Sequence, residues 1–236
     1  PLKFTLALLL LAIAGGAANA FNQYFEREVD ARMTRTRRRR PLPMGLIPVR
    51  GALVFATILG IVSTIGFLLV FNLLSALLSF ATILFYSLFY TLYLKPRTPQ
   101  NIVIGGIAGS MGPVIAWAAS AGSLSLTPIL MFAVIFFWTP PHFWSLALYH
   151  MDDYRTVGYP MMPLVAGVRS TWRQLFGYLG LTLLVSVGLA LMGTGWFYLA
   201  SAVLLGSLFL KQAILAQRDG SMKAARGLFG YSIIYL

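Results

Sequence analysis

The sequence predicts an all-α protein that crosses a membrane several times, and three observations lead to this prediction. Hydrophobic residues make up 58% of the 236 residues, charged residues make up only 10%, and the mean hydropathy is +0.79. The apolar residues are gathered into stretches of about 20, the length that a helix needs to cross a bilayer. This composition excludes a soluble domain and a disordered chain. The absence of cysteine from the sequence excludes disulfides, thiolate metal sites and cysteine nucleophiles.

Seven apolar stretches are long enough to span a bilayer, namely residues 2–24, 52–70, 73–94, 102–121, 124–148, 174–192 and 196–216. An eighth, residues 227–236, is too short to cross. We therefore expect one transmembrane domain over residues 1–236 that is truncated at both ends, since the chain opens on Pro1 and stops inside the eighth stretch. A secretory signal peptide is the alternative for the first stretch, because Ala18-Asn19-Ala20 imitates a cleavage site.

The basic residues predict the side of the membrane that each loop faces. Seventeen of the 18 lysines and arginines, all but Lys3, lie in or beside alternate connections, after the first, third, fifth and seventh stretches, with Lys211 just inside the end of the seventh. The other connections contain none. By the positive-inside rule these basic connections face the cytoplasm of a bacterial cell, or the matrix if the membrane is the mitochondrial inner membrane. All six acidic residues fall on the same side, so we expect the charged chemistry there.

A ladder of polar residues closes the first apolar stretch. Asn19, Asn22, Glu26 and Asp30 follow one another at spacings of three, four and four, which places them on one face of a helix. Carboxylates and carboxamides are oxygen ligands of the kind that Mg²⁺ takes from proteins. The ladder therefore indicates a magnesium site, and the alternative is a solvated helix end whose acids pair with neighbouring arginines.

A second polar cluster follows the fifth stretch. Pro140 and Pro141 are expected to break or kink the helix at membrane depth, which is tolerated only beside protein or a wet cavity. If the helix resumes after them, the polar residues on one face are His142, Tyr149 and Asp153, with Asp152 on the flank. A buried core histidine is the alternative for His142.

Two basic segments on the same side could bind phosphate. The first contains Lys95 and Arg97 and leads to Asn101, and the second contains Arg35 and the arginines at 37–40. The run at 37–40 is more typical of a topology determinant that contacts anionic lipid. Nucleic acid is not an expected partner, because the basic residues lie in short loops against a bilayer. A lipid diphosphate would place its headgroup among metal ions and basic side chains, and its tail among the helices.

At these residues the sequence resembles the protoheme IX farnesyltransferases, or heme O synthases, a branch of the UbiA-type intramembrane prenyltransferases. The resemblance covers nearly the whole chain and rests on Asn22-Gln-Tyr-Phe-Glu26-Arg-Glu-Val-Asp30, Lys95-Pro-Arg-Thr-Pro-Gln-Asn101, Trp138-Thr-Pro-Pro-His142-Phe-Trp144 and Asp152-Asp153. It implies a bundle of nine transmembrane helices, of which seven and a partial eighth are present. It also implies Mg²⁺ as cofactor and transfer of a farnesyl group from farnesyl diphosphate to a vinyl group of heme b, with addition of water.

The resemblance also implies roles for individual residues. Asn22, Glu26 and Asp30 stand for the first metal-binding motif, and Asp152 with Asp153 stands for the second, in which Asp153 is the expected ligand. The residues expected to bind substrate are Arg35, Lys95, Arg97, Asn101 and Trp144, while His142 and Tyr149 are expected near the reacting centre. The implied partners are the two substrates, the lipid bilayer, and heme A synthase or oxidase assembly proteins that receive the product. This chain departs from the superfamily pattern at Gln23 and Glu26, where aspartate is usual.

Two other functions stay open at this stage. A prenyltransferase of the same superfamily could act on an aromatic quinone or chlorophyll precursor. A multi-span transporter or heme-handling protein would explain the hydropathy and the two prolines. It would not explain why every acid lies on one side, since coupled carriers usually place ionisable groups near the membrane midplane.

Overall fold

The structure is a computed structural model that describes residues 2–236. Within these residues all the regular secondary structure is helical, and seven helices are long and apolar enough to cross a membrane. They are Leu2–Arg32, Val49–Val70, Leu73–Leu94, Asn101–Ala121, Leu126–Tyr149, Gly167–Thr194 and Trp196–Asp219. An eighth helix covers Met222–Tyr235. The predicted fold class and all seven predicted spans are confirmed.

Some of these spans are divided, and short helices lie between them. In chain order the α-helices are α1 (Leu2–Arg32), α2 (Thr34–Arg37), α3 (Val49–Val70), α4 (Leu73–Leu84), α5 (Asn101–Ser110), α6 (Gly112–Ala121), α7 (Leu126–Tyr149), α8 (Met151–Val157), α9 (Met162–Val165), α10 (Gly167–Leu189), α11 (Trp196–Asp219) and α12 (Met222–Tyr235). A π-helical segment, Phe85–Leu94, continues α4. The division between α5 and α6 falls just before Pro113, which lacks the N–H that would continue the helical ladder.

Small residues let the first helices approach each other closely. Ala17 of α1 and Ala56 of α3 are fully buried, and a Cβ on Gly66 would lie 2.5 Å from Leu10 Cδ2. Lipid tails are as apolar as leucine, so helices in a bilayer gain little from burying large apolar side chains and gain more from close packing. The outward faces stay apolar, and Leu69 is 79% exposed. These faces suit contact with acyl chains.

The second half of the bundle holds the larger core, in which Trp144, Leu175, Leu179 and Phe209 are fully buried. Helix α7 packs against α10, α12 and α5. It therefore joins the larger core to α5.

Helix α7 runs without a break across Pro140 and Pro141, so the expected break does not occur. Both prolines are buried within the bundle, where neighbouring helices can compensate for the backbone bonds that proline removes. Thr139 donates its hydroxyl to the carbonyl oxygen of Ile135 at 2.8 Å within the same stretch. The expected polar cavity is present, since Trp138 and Thr139 line one.

Candidate active site

The polar ladder of α1 faces the inside of the bundle. Asn22, Glu26 and Asp30 are each no more than 3% exposed, and they lie at the end of α1 that joins the long basic loop at 33–48. Asn19, the fourth predicted member, is exposed and lines a separate apolar cavity. The 3.6-residue period of the helix brings three of the four predicted residues onto one buried face.

Arg40 is the cation on which this ladder converges. Its Nη1 atom lies 3.4 Å from Asn22 Oδ1 and 3.7 Å from Glu26 Oε2, and it also bonds Asp30 Oδ2. The sequence had favoured a lipid-contacting role for the whole run at 37–40, and for Arg40 this interpretation is wrong. The loop turns back after Thr36, whose hydroxyl donates to the Asp30 carbonyl oxygen at 2.8 Å, and this turn brings Arg40 over α1.

Lys95 and Tyr159 complete the surroundings of Glu26. Lys95 Nζ lies 2.6 Å from Glu26 Oε1 and 2.7 Å from Oε2, and the Tyr159 hydroxyl donates to Oε1 at 3.2 Å. Burial, with the neighbouring Glu26 carboxylate, raises the pKa of Tyr159, so its hydroxyl keeps its proton and serves as a donor. Lys95 was predicted for this region, whereas Tyr159 was not.

The π-helical segment Phe85–Leu94 packs against α1 and contacts the ladder at Asn22. The Thr91 hydroxyl donates to the Tyr86 carbonyl oxygen at 2.8 Å and accepts a hydrogen bond from Asn22 Nδ2 at 3.1 Å. The rings of Tyr86 and Tyr90 stack with centroids 5.1 Å apart. Wide helical turns of this kind are frequent at functional sites, because they change which side chains face a neighbour. The apolar pattern of residues 73–94 gave no sign of the change.

The second predicted cluster is divided by the structure. Asp153 is buried and accepts the backbone N–H groups of Thr34 at 3.0 Å and Arg35 at 3.1 Å, together with the Thr34 hydroxyl. Burial raises the pKa of the Asp153 carboxyl, but these hydrogen bonds outweigh burial and hold the pKa below its usual range. Asp152 instead lies on the surface and accepts from Arg155 at 2.8 Å. Asp153 therefore holds the start of α2, which carries Arg35, and Asp152 points away from it.

A cavity of about 360 Å³ lies between the ladder and α7. Its polar wall contains Asn22, Arg35, Arg40 and Lys95, and its aromatic wall contains Tyr86, Tyr90, Trp138, Phe143 and Tyr154. A second, mostly apolar cavity of about 290 Å³ shares Tyr86 and Gly109 with the first. Its lining includes Leu11, Ala14, Ile83, Met111 and Ile115. A charged pocket thus adjoins an apolar one that lies among the membrane helices.

His142 lies in a packed stack against α12, outside the set of described residues that line this cavity. Its Nδ1 is 2.7 Å from Ser232 Oγ, and its ring stacks between Trp138 and Phe229 with centroids 4.2 and 4.5 Å away. This is the core-histidine arrangement that the sequence left open. Contact between His142 and the reacting centre stays a prediction.

Three other predicted site residues, Asn101, Trp144 and Arg97, are not among the described residues that line the cavity. Asn101 and Trp144 are fully buried, and Asn101 Oδ1 and Trp144 Nε1 have no hydrogen-bond partner among the described residues. Arg97 donates to the carbonyl oxygens of Leu92 and Tyr93 at 2.8 and 3.2 Å, which caps the π-helical segment and holds the guanidinium at the surface. The structure therefore brings Lys95 to the ladder and keeps Arg97 away from it.

Tyr149 and His150 lie where α7 ends. The Arg226 guanidinium carbon is 5.7 Å from the centroid of the Tyr149 ring, and the His150 ring lies 4.3 Å from that ring. Burial, with the nearby Arg35 guanidinium, lowers the pKa of His150, so its imidazole is neutral at pH 7. The sequence gave no reason to single out His150.

The arrangement of acids, basic residues and apolar helices matches a known family. Residues 1–233 match the model of the UbiA prenyltransferase family. The chain belongs to this family. A relative from Mesorhizobium japonicum, Protoheme IX farnesyltransferase 2, is 47% identical over 241 aligned residues, which cover 100% of this chain and 76% of the relative.

The UbiA fold is also found among solved structures. The apo structure of a UbiA homologue from Aeropyrum pernix K1 has a TM-score of 0.78 at 19% identity and covers 100% of this chain and 86% of the homologue. A UbiA homologue from Archaeoglobus fulgidus, bound to DMAPP and Mg²⁺, has a TM-score of 0.65 at 16% identity. The match covers 99% of this chain and 87% of the homologue. At these identities the likeness establishes the fold that this chain shares with them.

Proposed function

We propose that this protein transfers the farnesyl group of farnesyl diphosphate to a vinyl group of heme b and so makes heme O. The observation that carries the proposal is the convergence of Arg40 and Lys95 on the buried ladder, beside a charged cavity that adjoins an apolar one. Such a site suits a ligand with a charged head and an apolar tail. The 47% identical relative named Protoheme IX farnesyltransferase 2 supports heme b as the acceptor.

The ladder fits a divalent cation. Asn22, Glu26 and Asp30 each direct one oxygen toward the same Arg40 nitrogen, so three oxygen donors already converge on one positive charge. Mg²⁺ is usually bound by one or two carboxylates, with water and substrate phosphate completing the shell. We assign these three residues to hold Mg²⁺, which when bound supplies positive charge that neutralises a diphosphate leaving group.

Asp153 is the proposed ligand from the second motif. A carboxylate offers about four lone-pair positions, and Asp153 uses three of them for Thr34 and Arg35. Within residues 2–236 no group of three His, Asp or Glu side chains is close enough to hold a metal by itself. A second ion at Asp153 would therefore depend mainly on water and diphosphate oxygens, and we assign Asp153 this secondary role beside its hold on the loop.

The basic side chains stabilise the leaving group. When the bond between C1 of the farnesyl group and its oxygen breaks, the electron pair leaves with the diphosphate, and Arg35, Arg40 and Lys95 line the cavity that receives this charge. Fixed charges in a water-poor cavity stabilise such a state without reorganisation. Arg40 and Lys95 form ion pairs with acids in this structure. They would become available to bind diphosphate when those acids coordinate a metal ion.

The aromatic wall protects the allylic cation that remains. Tyr86, Tyr90, Trp138 and Phe143 present rings to the cavity, and ring faces attract a cation while excluding water. The tail extends into the apolar cavity beyond Tyr86. The vinyl group donates its electron pair to farnesyl C1, and water then adds to the carbon left positive, which gives the hydroxyl group of the product and releases a proton.

The site lies at the basic end of the bundle, and we place that end on the cytoplasmic face of a bacterial membrane. This placement rests on the distribution of lysine and arginine among the loops. Transfer of the product to heme A synthase or oxidase assembly proteins stays a prediction.

The test uses full-length protein in lipid nanodiscs with heme b, farnesyl diphosphate and Mg²⁺, followed by mass spectrometry of extracted heme. A heme with the added mass of one farnesyl group and one hydroxyl group is the expected product, and omitting Mg²⁺ should abolish it. A parallel reaction with an aromatic quinone precursor in place of heme b distinguishes the nearest alternative. Prenylation of that precursor but not of heme would overturn the proposal.

A further inference from the structure

The mouth of the polar cavity carries an arginine cluster around one histidine. His150 is half-buried, with 23% of its side chain exposed, and among the described residues its imidazole makes no hydrogen bond. Its nearest acid is Asp153, whose Oδ2 lies 3.8 Å from Nδ1. Arg35, Arg39 and Arg226 all act electrostatically on it. We call His150 with these three arginines the His150 cluster.

Helix α7 places His150 in line with the cavity wall. Thr139, Phe143 and Leu146 all line the cavity, at helical spacings of four and three. His150 follows Leu146 by four residues on the same face, and its N–H donates to the Leu146 carbonyl oxygen at 2.9 Å. The rise of an α-helix puts His150 about 6 Å beyond Leu146 along the axis. The imidazole therefore stands just outside the cavity rim.

The cavity has room for one substrate and leaves the other outside. Its volume is about 360 Å³. Pockets of about 300 to 1,000 Å³ hold a single drug-sized ligand, so a diphosphate with its metal ion leaves no space for a porphyrin in the same chamber. A macrocyclic acceptor must therefore lie at the rim and extend only its edge inward.

The cluster carries positive charge that the protein itself does not neutralise. Within residues 2–236, Arg35, Arg39 and Arg226 have no carboxylate within 4 Å, whereas Arg40 and Lys95 are paired with the ladder. The Nε atom of Arg35 is also buried without a hydrogen-bond partner. Unpaired arginines around a pocket mouth suit a ligand that carries carboxylates, which guanidinium groups bind in a bidentate manner.

We propose that His150 is an axial ligand to the iron of the heme acceptor, and that Arg39 and Arg226 bind its propionates. This inference rests on the proposed function for the identity of the acceptor. Imidazole is a common protein ligand of heme iron. The iron lies at the centre of the macrocycle and the vinyl groups lie at its edge, so a heme bound at the rim brings a vinyl group over the cavity. The ring of Tyr149, beside His150, offers an aromatic face to the porphyrin.

The two histidines of the chain allow a matched test of iron ligation. Ferric heme b is titrated into protein in nanodiscs, without farnesyl diphosphate, and followed by its Soret band and electron paramagnetic resonance. We expect His150→Ala to bind heme at least about tenfold more weakly, to lose the imidazole-ligated spectrum, and to regain that spectrum when free imidazole is added. His142→Phe should keep it. An unchanged spectrum and affinity in His150→Ala would overturn the proposal, as would loss of the spectrum in His142→Phe alone.

A second series tests the arginines. Arg39→Gln and Arg226→Gln should each weaken binding of heme b several-fold and should change little in the binding of its dimethyl ester, which lacks propionate charge. Arg169→Gln is the control, because it removes the same charge from an exposed position on the same side of the bundle. Equal losses for heme b and its ester, or a loss in Arg169→Gln as large as the others, would overturn the assignment of the propionates.

These measurements distinguish failure of the proposed heme site from failure of the proposed function. If wild-type protein makes no farnesylated heme while its heme spectrum depends on His150, the proposed function fails and the heme site stands. If wild-type protein makes the product while His150→Ala binds heme normally, the proposed function stands and the heme site fails.

Discussion

Replacing Asp30 by Asn tests the acidic ladder most directly, because the change keeps the shape of the side chain and removes its charge. Asp30 is 2% exposed and bonds Arg40, and Glu26 is the other carboxylate of the ladder. Glu26 and Asp30 balance Arg40 and Lys95 in this structure, so the substitution leaves one excess positive charge and removes half of the negative charge available to a metal ion. Loss of one preorganised stabiliser lowers turnover by about a hundredfold to a thousandfold, or about 3 kcal/mol.

The assay measures the rate of heme O formation by mass spectrometry at saturating farnesyl diphosphate and over a range of Mg²⁺ concentrations. Asp30→Asn should need more Mg²⁺ for half-maximal activity as well as turning over more slowly. Asp219→Asn is the control, since Asp219 is an exposed acid whose Oδ1 accepts the Ser221 N–H at 3.0 Å. Thermal unfolding checks that both variants are folded. A folded Asp30→Asn protein with near wild-type turnover would refute the assignment of the ladder to metal and diphosphate.

Three further predictions follow from the same contacts. Arg40→Gln leaves the buried carboxylates of Glu26 and Asp30 with less neutralising charge, so we expect it to destabilise the ligand-free protein by about 2 kcal/mol, less than the loss of a fully buried pair would cost. Thermal unfolding without Mg²⁺ measures this change. Unchanged stability would contradict the prediction. Asp153→Asn should lower the free energy of unfolding by about 1 to 3 kcal/mol, and Asp152→Asn should change it very little. Because folding lowers the pKa of Asp153, its contribution to stability is present above the usual carboxyl pKa of 3.8 and is lost as the pH falls through the lowered value. The free energy of unfolding of the wild type should therefore fall more steeply below about pH 4 than that of Asp153→Asn. Cysteine placed at Arg97 should be labelled only from the cytoplasmic side and at Ser123 only from the opposite side; labelling of both from one side would refute the topology.

The sequence by itself determined the class of the fold and the position of its spans. Hydropathy over about 20 residues is a local property, and a helix in a bilayer satisfies its own backbone, so each span can be predicted without knowledge of its neighbours. The same holds for Asn22, Glu26 and Asp30, because one helical period fixes their common face wherever the helix packs. The prolines of α7 show the limit of local reasoning, since their burial among other helices keeps that helix continuous.

The partners of the ladder were decided by the tertiary structure alone. Tyr159 reaches Glu26 across 133 residues, and Asp153 holds Thr34 across 119. No periodicity links such distant positions, so the sequence did not show what Asp153 contacts and did not distinguish Arg40 from the arginines before it. Their roles follow from the turn of the loop after Asp30 and from the packing of α8 beside it. The contacts of Tyr159 with Glu26 and of Asp153 with Thr34 form only once the helices have assembled, because each joins two elements that are far apart in the sequence.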